Sequence, residues 1–298
     1  MSDIKILDFG PLLFWSQAIG LWLAAWAANL WLARLEPASP ALRRLVAFAI
    51  PLIFGATLLF IWETIVTGLQ VPGVLMPPPS AIAARFLASL PILRDDFAQT
   101  VLKSVLAGWA LGCLTGFAVA LVADRVPFLR RGLLPLGNFA AALPMIGIAP
   151  IMVMWFGFDW HSKAAVVVVM TFFPMLTNTV AGLAATGALE RDLMASYGAG
   201  WTTILLKLRL PNALPFIFNG LKINSTLALI GAIVAEFFGT PIVGMGFRIS
   251  TEIGRMGLDM VWAEIALAAI AGSVFYGALA GLERAVTFWH PSMRMRRV

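Results

Sequence analysis

The chain offers few side chains suited to covalent chemistry. Two histidines, one cysteine and 15 carboxylates are spread over 298 residues. His161 closes the run Asp159-Trp160-His161 and His290 precedes Pro291, and the apolar segments between them predict opposite sides of a membrane. They therefore form no metal constellation. Cys113 lies in an apolar stretch and reads as a small buried residue, since a lone cysteine supports neither an intrachain disulfide nor a cysteine metal motif. No glycine-rich loop ends in lysine and serine or threonine, so nothing suggests nucleotide chemistry. We nominate no catalytic residue, no metal ligand and no cofactor for this chain. The remaining candidates are polar or helix-breaking residues inside apolar segments. Pro144, Gly147 and Pro150 share one such segment, where an opened helix would expose backbone to a passage or merely relieve packing strain. Asn224 and Lys222 lie in another, facing water or protein, with Lys222 able to snorkel. Glu236 lies near that segment's far end and is costly to bury unpaired. It is a candidate for a gate or an external contact, with a plain interfacial position as the alternative.

The elements that position these residues are long apolar runs. Hydrophobic residues make up 60% of the chain and charged ones 12%, against about a quarter charged in soluble domains. Seven segments, about 12–33, 45–66, 101–123, 133–156, 162–184, 214–238 and 261–283, reach the roughly twenty residues a membrane helix needs. Continuous runs of this length predict helices, because barrel strands alternate and are about half as long. The first segment is the least regular, with Ser16, Gln17 and Asn29 among its tryptophans. The start MSDIKILDFG lacks the basic flank of a cleavable signal, so this segment is expected to be retained.

Charge placement orients the runs. Arg34, Arg43 and Arg44 follow the first; Arg125, Arg130 and Arg131 the third; Arg191, Lys207 and Arg209 the fifth; and Arg284, Arg294, Arg296 and Arg297 the seventh. Most of the 21 basic residues thus fall on one side, which becomes the cytoplasmic one. The net charge of +6 is then a topological signal and no pointer to nucleic acid. The N-terminus is expected outside, if the first segment spans, and the C-terminus inside. Trp155, Trp160, Trp262 and Trp289 near span ends read as interfacial anchors. The basic tail can also attract anionic lipid. Small residues in the third and seventh spans would permit close helix packing. Pro77, Pro78 and Pro79 enforce an extended path, after which Ser80 is expected to cap a short helix.

Between the fifth and sixth spans lies a polar and basic interruption, Asp192 to Pro211, in a region that otherwise reads as membrane. It is helix-compatible but divided by Gly198 and Gly200. Glu190 and Asp192 at its start, and Lys207 and Arg209 near its end, suit one or two short helices. Pro211 is expected to terminate it by constraining the residue before it, and Pro215 restricts where the next helix begins. An exposed helix, a glycine elbow and a return into the membrane are predicted.

This layout resembles the cytoplasmic coupling motif of bacterial ABC importer permeases. That motif opens with glutamate and two alanines, has glycine six residues after the glutamate, and closes with a hydrophobic residue, one further residue, leucine and proline. Asp192, Leu193, Met194, Gly198, Leu208, Leu210 and Pro211 occupy those positions. The departure is Asp-Leu-Met for Glu-Ala-Ala, which makes the docking knob bulkier. The segments MPPPSAI, LPMIGIAPIMVMWFGF, AEFFGTPIVGMG and LERAVTFWHP, in that order, are similar to blocks of the nitrate, sulfonate and taurine branch. The resemblance covers about residues 75 to 290.

It implies an all-α polytopic membrane protein of the type I ABC importer permease fold with an extra N-terminal helix. Residues 1–44 form the extension and 45–298 the permease core, with the coupling segment at 188–211. It also implies two ABC ATPase subunits holding the ATP and Mg, a second permease copy in a homodimer, and an extracytoplasmic solute-binding protein. Tyr197 and Trp201 would fill apolar pockets of the ATPase or anchor in lipid. The implied function is ATP-driven import of a small polar solute, a nitrate-, sulfonate- or taurine-like anion, or alternatively a vitamin or heterocyclic precursor. An ATPase-independent secondary carrier would favour paired midplane carboxylates and an internal repeat, which the sequence does not display; a purely structural membrane subunit is a third alternative.

Overall fold

The computed structural model describes residues 12–35, 39–141, 144–239 and 242–290, and the regular elements among them are helical. In chain order they are α1 (Leu12–Arg34), α2 (Pro40–Gly68), α3 (Pro79–Ala88), α4 (Leu90–Arg125), α5 (Pro127–Ala141), α6 (Met145–Phe156), α7 (Trp160–Ala184), α8 (Ala188–Ser196), α9 (Trp201–Glu236), α10 (Met245–Gly254) and α11 (Leu258–Val286). Five of them, α2, α4, α7, α9 and α11, are long and apolar enough to cross a membrane. The all-α, multi-span fold expected from the sequence is thus the one adopted.

Two of the seven expected spans come out differently. The segment 133–156 is divided into α5 and α6, separated by residues 142–143, which lie outside the described set, and by Pro144 at the N-cap of α6. Pro144 is extended there, with ψ 110°, so a new helix starts after it, whereas Pro51 and Pro174 lie inside the unbroken α2 and α7. Helix α1 is 23 residues long, yet Ser16, Gln17, Asn29 and four tryptophans keep it below the hydropathy of the other five.

The chain divides into two compact units, Met1–Ser89 with Glu252–Ala263, and Leu90–Thr251 with Glu264–Val298. In the first, Ser39 Oγ accepts the Leu42 amide at 3.1 Å and Pro40 opens α2, a start dictated by the missing N–H of proline. Trp62 and Trp262 meet edge to face at 4.7 Å. The expectation that Ser80 caps α3 is corrected here. Pro78 is the cap residue and Ser80 lies inside the first turn. Its amide and hydroxyl both donate to the Glu63 carboxylate, at 2.9 and 2.7 Å. A side chain from α2 therefore satisfies a helix start that proline cannot cap for itself.

The second unit is built on α7. Gly108, Gly112 and Gly116, one turn apart on α4, let its backbone approach so closely that a β-carbon at any of them would collide with Val167, Thr171 or the Phe172 carbonyl. Gly182 on α7 does the same for Ala213 and Phe216 of α9. The expectation of small-residue packing holds for the third span. In the seventh, Gly272 packs closely on Leu229 of α9, while Gly277 and Gly281 face open space. Val105, Val167, Ala228 and Ala232 fill one core between these helices, with Trp109 and Phe275 against it. Cys113, Met175, Leu183, Leu205, Ala213 and Ile217 fill another.

Candidate functional site

Residues 188–211 form an exposed helix, a turn and the root of a long helix. Helix α8 begins where Glu190 Oε2 accepts the Gly187 amide at 2.7 Å. It ends at Gly198 with φ +72°. There the Gly198 amide donates to the Ala195 carbonyl at 2.9 Å and the Ala199 amide to Met194 at 3.1 Å. These two bonds close the helix in the manner of a Schellman turn, whose left-handed residue is cheapest as glycine. Gly200 then starts α9, which runs through Pro211 and Pro215 to Glu236. Pro211 therefore does not end a helix as expected: its missing N–H falls where the π-helical turn Leu205–Arg209 gives way to α-helix. The spacing Leu189, Leu193 and Tyr197 places three apolar side chains on one face of α8. They are 83%, 57% and 82% exposed. Asp192 is exposed beside them and Met194 is half-buried.

The two aromatic candidates separate. Tyr197 points outward, whereas Trp201 is half-buried, packs against the Leu205 and Ala213 core, and lies under the Arg125 guanidinium, 5.0 Å from the ring centre. The root of α9 is a π-helical stretch, Leu205–Arg209, a form that accommodates one extra residue in a turn and often marks working sites. It aims Arg209 inward. The guanidinium makes a fork on Asp124 at 2.7 and 2.6 Å, and donates to the Leu183 carbonyl at the end of α7 at 3.1 and 3.0 Å. One buried cation thus ties the ends of α4 and α7 to the start of α9. Leu208, Leu210 and Pro211 are half-buried, with Leu210 packed against the Leu205 and Ala213 core. His290 Nε2 approaches Asn212 Oδ1 at 3.4 Å, and Asn212 reaches Thr186 Oγ1 at 3.4 Å, one step from the same root. His161, at the opposite end of α7, stacks on Trp160. The histidines are therefore held apart, as expected.

A second polar region lies where Glu236 ends α9. A π-helical stretch of α4, Ala98–Val105, turns Thr100 and Ser104 inward. The Thr100 hydroxyl donates to Glu236 Oε1 at 2.7 Å and accepts the Met245 amide at 2.9 Å, and the Gly246 amide donates to Glu236 Oε2 at 2.7 Å. Asp96 Oδ1 accepts the Gly244 amide at 2.6 Å, while Oδ2 accepts Arg248 Nε at 2.9 Å. Asp96, Thr100 and Glu236 thereby pin the backbone at the start of α10 from inside the protein. Glu264, fully buried, is an electrostatic neighbour of Asp96, Arg248 and Glu236. Beside this cluster Lys103 donates to Gln99, and Gln99 to Asp159 Oδ1 at 3.1 Å. The Trp160 amide, donating to the same oxygen at 2.7 Å, holds the Asp159 carboxyl below its ordinary pKa.

The other sequence candidates fall in two places. Asn224 is fully buried and donates to the Thr171 carbonyl at 2.7 Å, so it ties α9 to α7. Lys222 pairs with Glu283 at 2.7 Å. Pro144, Gly147 and Pro150 are exposed along α6. Sequence reasoning missed Asp96, Arg248 and Glu264. A signal existed for Glu264, a lone carboxylate inside an apolar run, where burial demands a reason.

Residues 110–288 match the model of a family described as binding-protein-dependent transport system inner membrane component. The chain belongs to this family. A probable ABC transporter permease protein of Haemophilus influenzae is 32% identical over 215 residues, covering 72% of this chain and 87% of the relative. The formylaminopyrimidine transport permease protein ThiX of Halalkalibacterium halodurans is 31% identical, covering 80% and 95%. The taurine transport system permease protein TauC of Escherichia coli is 27% identical, covering 79% and 87%. The permease is a multi-pass inner membrane protein with the architecture of type I ABC importer permeases. The matched region contains residues 188–211 and Glu236, and leaves Asp96 and α1 to α3 outside it.

Proposed function

We infer that the permease imports a small polar solute and is driven by an ATPase that docks on residues 188–211. The single observation that carries this reading is the stripe Leu189, Leu193 and Tyr197, exposed on α8, which leads into the root of α9 that the buried Arg209 clamps. A fully buried side chain of this size is stabilised by about 1.5–3 kcal/mol, so the three together supply a hot spot for one groove-shaped partner. Asp192 adds a charge for a basic group of that partner. Two ATPase subunits binding ATP and Mg, a second copy of the permease and an external solute-binding protein complete the assembly. Closure of the ATPases would draw the paired α8 helices together. Arg209 would pass that motion to α4 and α7, and the latch around Glu236 would release or hold the opposite end. Pro144, Gly147 and Pro150 line the passage in this reading. The bias of basic residues supports a cytoplasmic α8 and C-terminus.

For the solute, a nitrate-, sulfonate- or taurine-like anion is the first reading from the sequence. A heterocyclic vitamin precursor gains support from the higher identity and near-complete coverage of the formylaminopyrimidine permease. Uptake of taurine against formylaminopyrimidine, with the cognate binding protein present, separates the two. Docking itself is tested by co-purification with the ATPase. Leu193→Asp and Tyr197→Asp should abolish it while leaving the permease inserted; retention of the ATPase by both variants would refute the docking face.

A further inference from the structure

The hairpin of α1 and α2 carries an apolar cleft that the transport reading does not use. A hollow of about 530 Å³ lies between the two helices, walled by Trp22, Trp26 and Asn29 on one side and Pro51, Phe54 and Leu58 on the other. A second hollow of about 280 Å³ shares Trp22 and Ile61 with it, so the cleft continues from Ala33 back to Trp15. At 1.5 Å per residue that is a path of ~27 Å, close to the ~30 Å hydrocarbon thickness of a bilayer.

Its two ends differ. At the hairpin end Arg34, Arg43 and Arg44 are exposed and have no ion pair or hydrogen bond among the described residues. The Asn29 carboxamide oxygen is buried in the cleft wall without a partner. Asn29 precedes Arg34 by five residues, ~7 Å along the helix. The order from the surface inward is therefore a cationic rim, a polar amide and an apolar trough. A phospholipid presents a phosphate, ester groups and an acyl chain at the same depths.

The cationic rim favours an occupant with an anionic headgroup over a wholly apolar helix, and Trp22 and Trp26, tilted against each other at 5.5 Å, offer an acyl chain flat faces. We propose that this cleft binds an anionic phospholipid, with its phosphate on Arg34, Arg43 and Arg44, its ester level at Asn29 and an acyl chain between α1 and α2. Water held at the ester level then donates to the Asn29 carboxamide oxygen, which removes a cost of about 1–3 kcal/mol for an orphaned buried acceptor.

The test is native mass spectrometry of the full chain released from bilayers of equal phosphatidylglycerol and phosphatidylcholine. The wild type should retain phosphatidylglycerol in preference. With each arginine near a membrane surface contributing about 1 kcal/mol, the triple variant Arg34→Gln, Arg43→Gln, Arg44→Gln should lose the preference by ten- to a hundredfold. Thr57→Trp, which fills the trough, should lower retention of both lipids. Raising salt should weaken the wild-type preference without any substitution. Equal retention of the two lipids by the wild type, or a preference indifferent to both salt and the arginines, would overturn the proposal.

Discussion

Removing the Asp124 carboxylate should uncouple the root of α9 from α4 at a calculable cost. Asp124 and Arg209 have side chains only 4% and 11% exposed, and their two bonds of 2.7 and 2.6 Å form a parallel fork. Asp124→Ala leaves the guanidinium buried with the Leu183 carbonyl as its remaining acceptor. Breaking a buried pair from one side costs about 3–5 kcal/mol, because the surviving charge is desolvated without compensation. Replacing both partners with apolar residues, Asp124→Leu with Arg209→Met, removes that charge and should restore most of the loss, leaving a deficit of about 1 kcal/mol for the uncapped carbonyl. The assay is unfolding of the purified permease by titrating SDS into mixed micelles, alongside ATP-driven uptake by the reconstituted transporter. The double variant should fold nearly as well as the wild type yet transport poorly, since the fork that ties α9 to α4 is gone. A loss below about 1 kcal/mol in Asp124→Ala, or normal uptake by the double variant, would refute the reasoning.

Three further outcomes follow from individual contacts. Gly198→Ala meets no steric clash, because an added β-carbon finds open space, so its cost is the left-handed backbone alone, about 1–2 kcal/mol; hydrogen exchange at residues 194–200 should rise while the rest of the permease keeps its protection. Glu63→Ala removes both acceptors from the Ser80 end of α3 and should cost about 1 kcal/mol, read as faster exchange of the Ser80 to Ile82 amides. Glu236→Gln replaces a carboxylate oxygen that accepts a bond with an amide donor facing either the Thr100 hydroxyl or the Gly246 amide, so protection at the start of α10 should fall ten- to a hundredfold; unchanged exchange there would mean the latch is held by Asp96 and Thr100 without Glu236.

The transmembrane character of α2, α4, α7, α9 and α11 was legible in the sequence because each is a long apolar run. Length alone could not show that 133–156 divides, since its apolar residues continue through the proline that interrupts the helix. The elbow at Gly198 was legible from register, and the structure supplies its cause in the φ of +72° and the two closing bonds. Trp201 was harder. Its spacing from Gly198 says that it follows the elbow, but only packing places it under Arg125. The fork of Arg209 on Asp124 joins residues 85 apart, and nothing local marks either partner. The same holds for Asp96 and Arg248, whose partners lie more than a hundred positions away. Ser80 lies inside the first turn because Glu63, 17 residues earlier on α2, supplies the acceptors that a local cap would have provided. Local rules describe which groups need partners, and tertiary structure decides who supplies them.

Uptake into vesicles holding the permease, its ATPase and the solute-binding protein tests the central claim most directly. Solute should accumulate only when ATP is hydrolysed, and Leu193→Asp with Tyr197→Asp should stop accumulation while the permease remains inserted. Accumulation by the permease alone, or undiminished accumulation by the double variant, would contradict an ATPase docked on α8.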